Sequence, residues 1–219
     1  IHTHASVQRG LFRADGSRYP TPEELIATMD IHGIDKAVVL STVSPELRYV
    51  VVTPQEVLAM ARQYPERLIP FAGIDSRMLT NDTSADFRPM LRFLREQGIK
   101  GIGEYIPNFE LDHPLNLNLF GQLEEVGELP LLFHLSSQMN HQGQYGCYDD
   151  PGLPRLEKVL QRFPKLIFLA HSQVFWAEIS SDLRPEDRHG YPAGKVTPGR
   201  VVELMRRYPN LHGDLSAGS

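Results

Sequence analysis

Short apolar runs alternate with amphipathic stretches along this chain, and the alternation recurs at the spacing of roughly 30 residues that a βαβ unit needs. In "EELIATMDIHGIDKAVVLST" a helical pattern runs to Gly33, a residue suited to a C-cap, and a buried strand follows from about Lys36 to Ser41. The phrase returns in "MLRFLREQGIKGIGEY", through Gly98 to a strand ending near Glu104. It returns again in "LFGQLEEVGELPLLFHLS", through Gly127 to a strand ending near His134. A second version ends its helices on a basic residue, an aromatic and a proline, as in "RQYPERLIPFAGID", "QRFPKLIFLAHS" and "RRYPNLHGDLS". Proline cannot continue a helix and hands the chain to the next strand.

The strand candidates are then "IHTH", "KAVVLS", "LIPFAGI", "KGIGEY", "LLFHLS", "LIFLAHS" and "LHGDLS". Most internal ones are continuous apolar runs, as expected when helices cover one face of a parallel sheet and a barrel core the other. The pattern predicts an α/β chain built as a (β/α)8 barrel, residues 1–219 forming a single domain. The eighth unit is missing: such barrels need about 250 residues, so the chain is expected to be truncated at its C-terminus. An open Rossmann-like sheet is the competing architecture. Against it, "GIKGIGE" lacks the dinucleotide fingerprint spacing and leads into an acidic residue.

Composition narrows the partners. With 41% hydrophobic and 22% charged residues the chain can bury a sizeable core. A net charge of -5 and the absence of any Lys/Arg block argue against nucleic acid and favour a small-molecule substrate, with self-association left open. Cys147 is the only cysteine, which excludes an intrachain disulfide and any zinc site built from several thiolates and suggests a reducing, cytoplasmic setting. No apolar stretch approaches the ~18 residues of a membrane span.

In such a barrel the C-terminal strand ends meet at one mouth. His2 and His4 share a face because side chains alternate with period two. They can form two corners of one coordination sphere, or merely a solvated strand end. Glu104 emerges from a run of Gly and Ile, where an unpaired buried carboxylate is expensive; a metal would offset that cost, and pairing with Lys100 or solvent is the bland alternative. His134 and His171 each cap an otherwise apolar strand, and their recurrence on successive units points to ligands. Asp214 repeats the theme on the seventh strand, sharing its face with His212, as a candidate for catalysis. His32 fits a helix C-terminus, while His113, His141 and His189 fall in polar loops and read as surface residues.

The order of these residues resembles the amidohydrolase superfamily of metal-dependent hydrolases. "HGIDKAVVL", "LAHSQVFW" and "RYPNLHGDLSAGS" are most similar to its amidohydrolase-related branch, which also contains decarboxylases. The resemblance implies that His2, His4, His134 and His171 are metal ligands. Glu104 at the end of "GIGE" is similar to the fourth-strand metal-ligating Glu of TatD-type deoxyribonucleases, and would bind the metal or bridge two. The superfamily's eighth-strand Asp has no counterpart here, so proton transfer is expected of Asp214 or of an Asp beyond the chain. Imidazoles with one carboxylate suit Zn²⁺, with Mn²⁺ or Fe²⁺ as alternatives, one or two ions in all. The implied activity is metal-assisted hydrolysis of an amide, ester or lactone bond in a small organic substrate contacted by Tyr105, Gln138, Gln173 and Trp176, although Trp176 can equally pack the top of the barrel. The rivals are non-oxidative decarboxylation of an unsaturated or aromatic acid, which calls for an Arg at the mouth (Arg9, Arg13 or Arg77), and a metal-binding barrel without activity.

Overall fold

The structure, a computed structural model, describes residues 1–13, 15–47, 50–139 and 145–216. His141 lies outside them. Among the described residues eight strands form: β1 (His2–Thr3), β2 (Ala37–Leu40), β3 (Leu68–Ala72), β4 (Gly101–Tyr105), β5 (Leu131–Ser136), β6 (Cys147–Tyr148), β7 (Phe168–His171) and β8 (Leu211–Gly213). All pair in parallel, in the order β1-β2-β3-β4-β5-β7-β8, with β6 paired to β5 off this path. The seven-strand path is that of an incomplete (β/α)8 barrel, as the spacing predicts. The two-residue β6 was not legible in the sequence, which reads this stretch as loop.

Helices α1 (Pro22–Ile31), α2 (Pro54–Gln63), α3 (Arg88–Glu96), α4 (Pro114–Val126), α5 (Pro154–Arg162), α6 (Gln173–Ala177) and α7 (Arg200–Arg207) occupy the crossovers. Proline acts at both ends of them. "TPEE" and "TPQE" start α1 and α2: the Thr21 and Thr53 hydroxyls accept from the backbone N–H of Glu24 and Glu56, whose carboxylates accept in return from the threonine N–H. The C-terminal glycines read from the pattern do adopt positive φ, +64° at Gly33 and +70° at Gly127. Among the described residues, no helix is long and apolar enough to cross a membrane.

Two apolar layers result from the alternation. Val38, Leu40, Ile69, Phe71, Leu132 and Leu169 cluster inside the sheet's curve, while Val39, Ala72, Leu131, Phe133, Phe168 and Ala170 belong to the helix-facing core. β4 departs from strict alternation. Ile102 and Tyr105, three apart, both face the helices, because the β4–β5 register shifts between them. Gly103, with φ of +153°, sits at this irregularity; a Cβ there would lie 2.7 Å from the Leu132 carbonyl oxygen.

Above β3, Arg77 is fixed by two carboxylates. Its guanidinium donates to Glu46 through Nη1 and Nη2, 2.8 Å each, and to Asp75 through Nε and Nη2 at 2.7 and 2.6 Å. Burial pushes the Glu46 carboxyl up, but hydrogen bonds from Arg77 and Ser44 outweigh it and lower its pKa to about 2. Further on, buried Arg188 pairs with Glu178 at 3.2 Å and donates to the Asp149 and Asp150 carbonyls, tying the segment after α6 to the β6 loop.

Gly103→Ala should cost about 2 kcal/mol or more in urea unfolding, from the clash and the positive φ together; a loss under about 0.5 kcal/mol would contradict the close approach. The Glu46 carboxyl titrates lower folded than unfolded, so its contribution is complete above about pH 4.5 and disappears as pH falls toward about 2. Over that window the wild type should lose on the order of 1–3 kcal/mol more than Glu46→Gln does, measured by denaturant unfolding at stepped pH.

Candidate metal centre

The interior face delivers the polar side chains to one place. His2 stands in register with Val38, and Leu169 with His212. His134 and His171, two residues beyond the interior Leu132 and Leu169, are register partners of each other. Asp214 follows His212 on the same face; His212 is exposed below it. Strict alternation would have sent Glu104 after Ile102 toward the helices. The β4 register shift turns it into the mouth instead.

Six side chains thereby converge. Glu104 is the hub: Oε1 lies 2.9 Å from His134 Nδ1 and 3.8 Å from His171 Nε2, and Oε2 lies 3.3 Å from His4 Nε2. Asp214 is a second negative pole, its Oδ2 2.6 Å from His2 Nδ1 and 3.2 Å from His171 Nδ1. Ser216 Oγ donates to Asp214 Oδ1 at 2.9 Å and accepts the His2 backbone N–H at 2.5 Å. Glu104 is only 3% exposed. Burial alone would raise its pKa, yet hydrogen bonds from His134 and His4, with their charge, hold it well below the usual carboxylate range. Asp214 is likewise pushed up by burial and pulled further down by His171 and His2.

The donor set fits a divalent cation. Three overlapping groups, His2/His4/Glu104, His2/His171/Asp214 and Glu104/His134/His171, each bring their ligand atoms within 4.8 Å of one another. His4 Nδ1 is buried without a hydrogen-bond partner, an orphan that purely structural packing leaves unexplained. Lys100 plays no part at Glu104, so the pairing alternative from the sequence is not realised.

Tyr19 and Tyr145 flank the cluster and were not singled out from the sequence. The Tyr19 ring is 5.5 Å from that of His4, and the Tyr145 ring 4.7 Å from that of His134. Burial, reinforced by the Glu104 charge, raises both phenols above their usual range, so they remain donors at neutral pH. Among the three candidate arginines, Arg9 pairs with Glu24 and Arg77 is engaged by Asp75 and Glu46. Arg13 lies 5.2 Å from the Tyr19 ring centre, with Asp15 its nearest carboxylate at 3.6 Å.

Tyr105 corrects the sequence reading. It is fully buried among the helix-facing residues, with its hydroxyl donating to Asn116 on α4 and its ring 5.6 Å from Phe120, so it cannot contact a substrate at the mouth. The residue after Glu104 falls on the opposite face of the strand. Trp176 belongs to α6 and packs on β8, donating from Nε1 to the Asp214 carbonyl. Gln138 is exposed after β5 and Gln173 opens α6. His113 is a second correction: it is half-buried and caps α4, Nδ1 accepting the Leu115 N–H. His32 is the C-cap of α1, and exposed His189 approaches Ser137 Oγ at 3.2 Å.

No family model and no curated protein matches the sequence. Solved structures do. An uncharacterised TIM-barrel protein from Bordetella bronchiseptica shares 19% identity over 87% of this chain and 58% of its own, with a TM-score of 0.56. A protein of Agrobacterium tumefaciens, solved in apo form, shares 16% over 100% of this chain and 68% of its own, TM-score 0.54. The 5-carboxyvanillate decarboxylase of Sphingomonas paucimobilis shares 14% over 89% and 64%, TM-score 0.50. The chain thus spans less than two thirds of the first and third of these. At such identities the likeness establishes the TIM-barrel fold, and chemistry must be argued from the site.

Tyr105→Phe tests the partition of faces. It should cost about 1 kcal/mol of stability through the lost Asn116 hydrogen bond while leaving cation binding unchanged; weakened binding of Zn²⁺ or Mn²⁺ in equilibrium dialysis would put Tyr105 back in the site.

Proposed function

We propose that the cluster binds a divalent cation and that the protein is a metal-dependent enzyme of amidohydrolase type acting on a small organic substrate. The observation that carries this is Glu104, an ionised carboxylate 3% exposed and ringed by three imidazoles from β5, β7 and the segment after β1. An unpaired charge has no stable place there, and a cation gives every member of the ring a partner. Glu104 with His2, His4, His134 and His171 would hold it. Zn²⁺ is the first choice for this N/O set, Mn²⁺ the next.

When bound, such an ion supplies Lewis-acid polarisation and lowers the pKa of water from 15.7 to about 7. The chain's own groups do the rest. Asp214 takes up Nδ1 of both His2 and His171, which fixes the two rings and turns their Nε2 atoms away from it, toward the Glu104 side in His171. Held so far below the ordinary range, Asp214 serves as this orienting acceptor better than as the base expected of it from the sequence. Tyr19 and Tyr145 supply phenol donors on two sides of the substrate space, and the Arg13 guanidinium adds positive charge at its edge.

Hydrolysis of an amide, ester or lactone is the first reading, since Glu104 adds a carboxylate to the imidazole set as in the hydrolases it resembles. Decarboxylation is the second. Arg13, beside Tyr19, is the cation a substrate carboxylate would seek, and one structural neighbour is a decarboxylase.

Metal analysis decides the common part. Protein produced with added Zn²⁺ or Mn²⁺ and dialysed should retain close to one or two ions per chain, and a content under about 0.2 would end the proposal. His134→Ala should weaken binding by at least about 100-fold while the metal-free protein melts within a few degrees of wild type. Unchanged affinity would remove His134 from the ligand set.

A further inference from the structure

Trp176 is the single tryptophan of the chain, and its surroundings differ from those of a substrate-stacking residue. Its Nε1–H donates to the backbone carbonyl of Asp214 at 3.0 Å. Its ring lies against the Gly213 backbone so closely that a Cβ on Gly213 would sit 2.5 Å from Cη2. Phe175 supports it edge-on, ring centres 5.0 Å apart. On the other side of the same residue, the Asp214 N–H donates to the Ala170 carbonyl of β7 at 2.9 Å. Both backbone polar groups of Asp214 are therefore held, one by the sheet and one by the indole.

The hold forms a closed circuit. His171 ends β7, and Ser172 follows it as N-cap of α6, its Oγ accepting the Phe175 N–H at 3.2 Å. α6 carries Trp176 back across β8 to Asp214, whose Oδ2 returns to His171 Nδ1 at 3.2 Å. Asp214 lies beyond the last paired residue of β8, where no further ladder bond to β7 restrains its carbonyl. The indole supplies the missing restraint.

We propose that Trp176 is a positioning residue: through the Asp214 carbonyl it sets the carboxylate that orients His2 and His171, and so tunes cation affinity without touching cation or substrate. This rests on the metal reading above and extends it to a residue outside the ligand set. Gly213 is required by the same contact, because any side chain there displaces the ring.

The test compares wild type with Trp176→Phe, which keeps an aromatic ring and removes the N–H. Affinities for Zn²⁺ alone and Mn²⁺ alone are measured by equilibrium dialysis, and metal-free melting is recorded beside them. Trp176→Phe should bind each cation about tenfold more weakly, with metal-free melting within a few degrees of wild type. Tyr105→Phe is the control for destabilisation as such, and should keep wild-type affinity. Affinity of Trp176→Phe within about twofold of wild type would overturn the assignment. Should that variant fail to fold, wild-type fluorescence decides: saturation with either cation must change the emission of Trp176, and an unchanged spectrum overturns the assignment as well. A wild type that binds neither cation defeats the metal reading itself, which is distinct from a wild type that binds while the variant binds equally.

Discussion

A carboxylate buried at the end of β4 is the constraint around which the rest of the mouth is organised. Glu104 is buried among imidazoles, where desolvation of an unpaired charge would cost several kcal/mol, and its pKa is held well below the usual carboxylate range. Three histidines from β5, β7 and the segment after β1 answer it. His171 is partnered in turn by Asp214, one residue past β8, which also takes up His2. Carboxylates and imidazoles thus alternate across the rim, beyond the interior apolar cluster of Leu40, Phe71 and Leu132. The scaffold contributes by being parallel: chain-order pairing of seven strands brings residues 2 and 214 within hydrogen-bond reach.

Much of this is legible in the sequence because a strand's two-residue period converts spacing into direction. Leu132 and Leu169 mark the interior, so His134 and His171 inherit it. The period also explains the failures. Tyr105 directly follows Glu104, and adjacency in a strand means opposite faces, so it cannot share the mouth with it. Glu104 itself reaches the mouth through a register shift that no pattern of apolar residues announces; Gly103, with its positive φ, was the one local sign. The capping role of His113 was hidden because an imidazole acceptor at an N-cap is rare beside Ser, Thr, Asp or Asn. α6, five residues long, is too short for helical periodicity to show where Trp176 points.

The arginines show how far composition falls short of placement. Three were equivalent as candidates by loop position. Arg77 is held by two carboxylates in a planar, doubly bidentate arrangement that leaves its guanidinium little to offer a ligand. Arg9 is satisfied at the helix surface by Glu24. Arg13 alone projects positive charge toward the tyrosine beside His4. The distinction comes from which acidic residues the loops happen to bring near, and it bears on reaction type, since a substrate carboxylate and a neutral acyl group make different demands on that edge.

Asp214 illustrates how position on a barrel can matter less than what a residue faces. On the seventh strand of the path it is one unit early for the terminal aspartate of the amidohydrolase pattern, and by strand count alone it would be set aside. Its carboxylate nevertheless reaches Nδ1 of both His2 and His171, so each of those rings has one nitrogen committed to an anion and is polarised at the other. That is the arrangement in which an imidazole makes its strongest ligand bond, and it requires the carboxylate to be held still. Ser216 fixes one oxygen, the two histidines the other, and the backbone is clamped between Ala170 and Trp176. The backbone of Asp214, one residue past β8, is thus held at both its N–H and its carbonyl, and its carboxylate carries that hold to the two imidazoles that face the Glu104 side of the mouth.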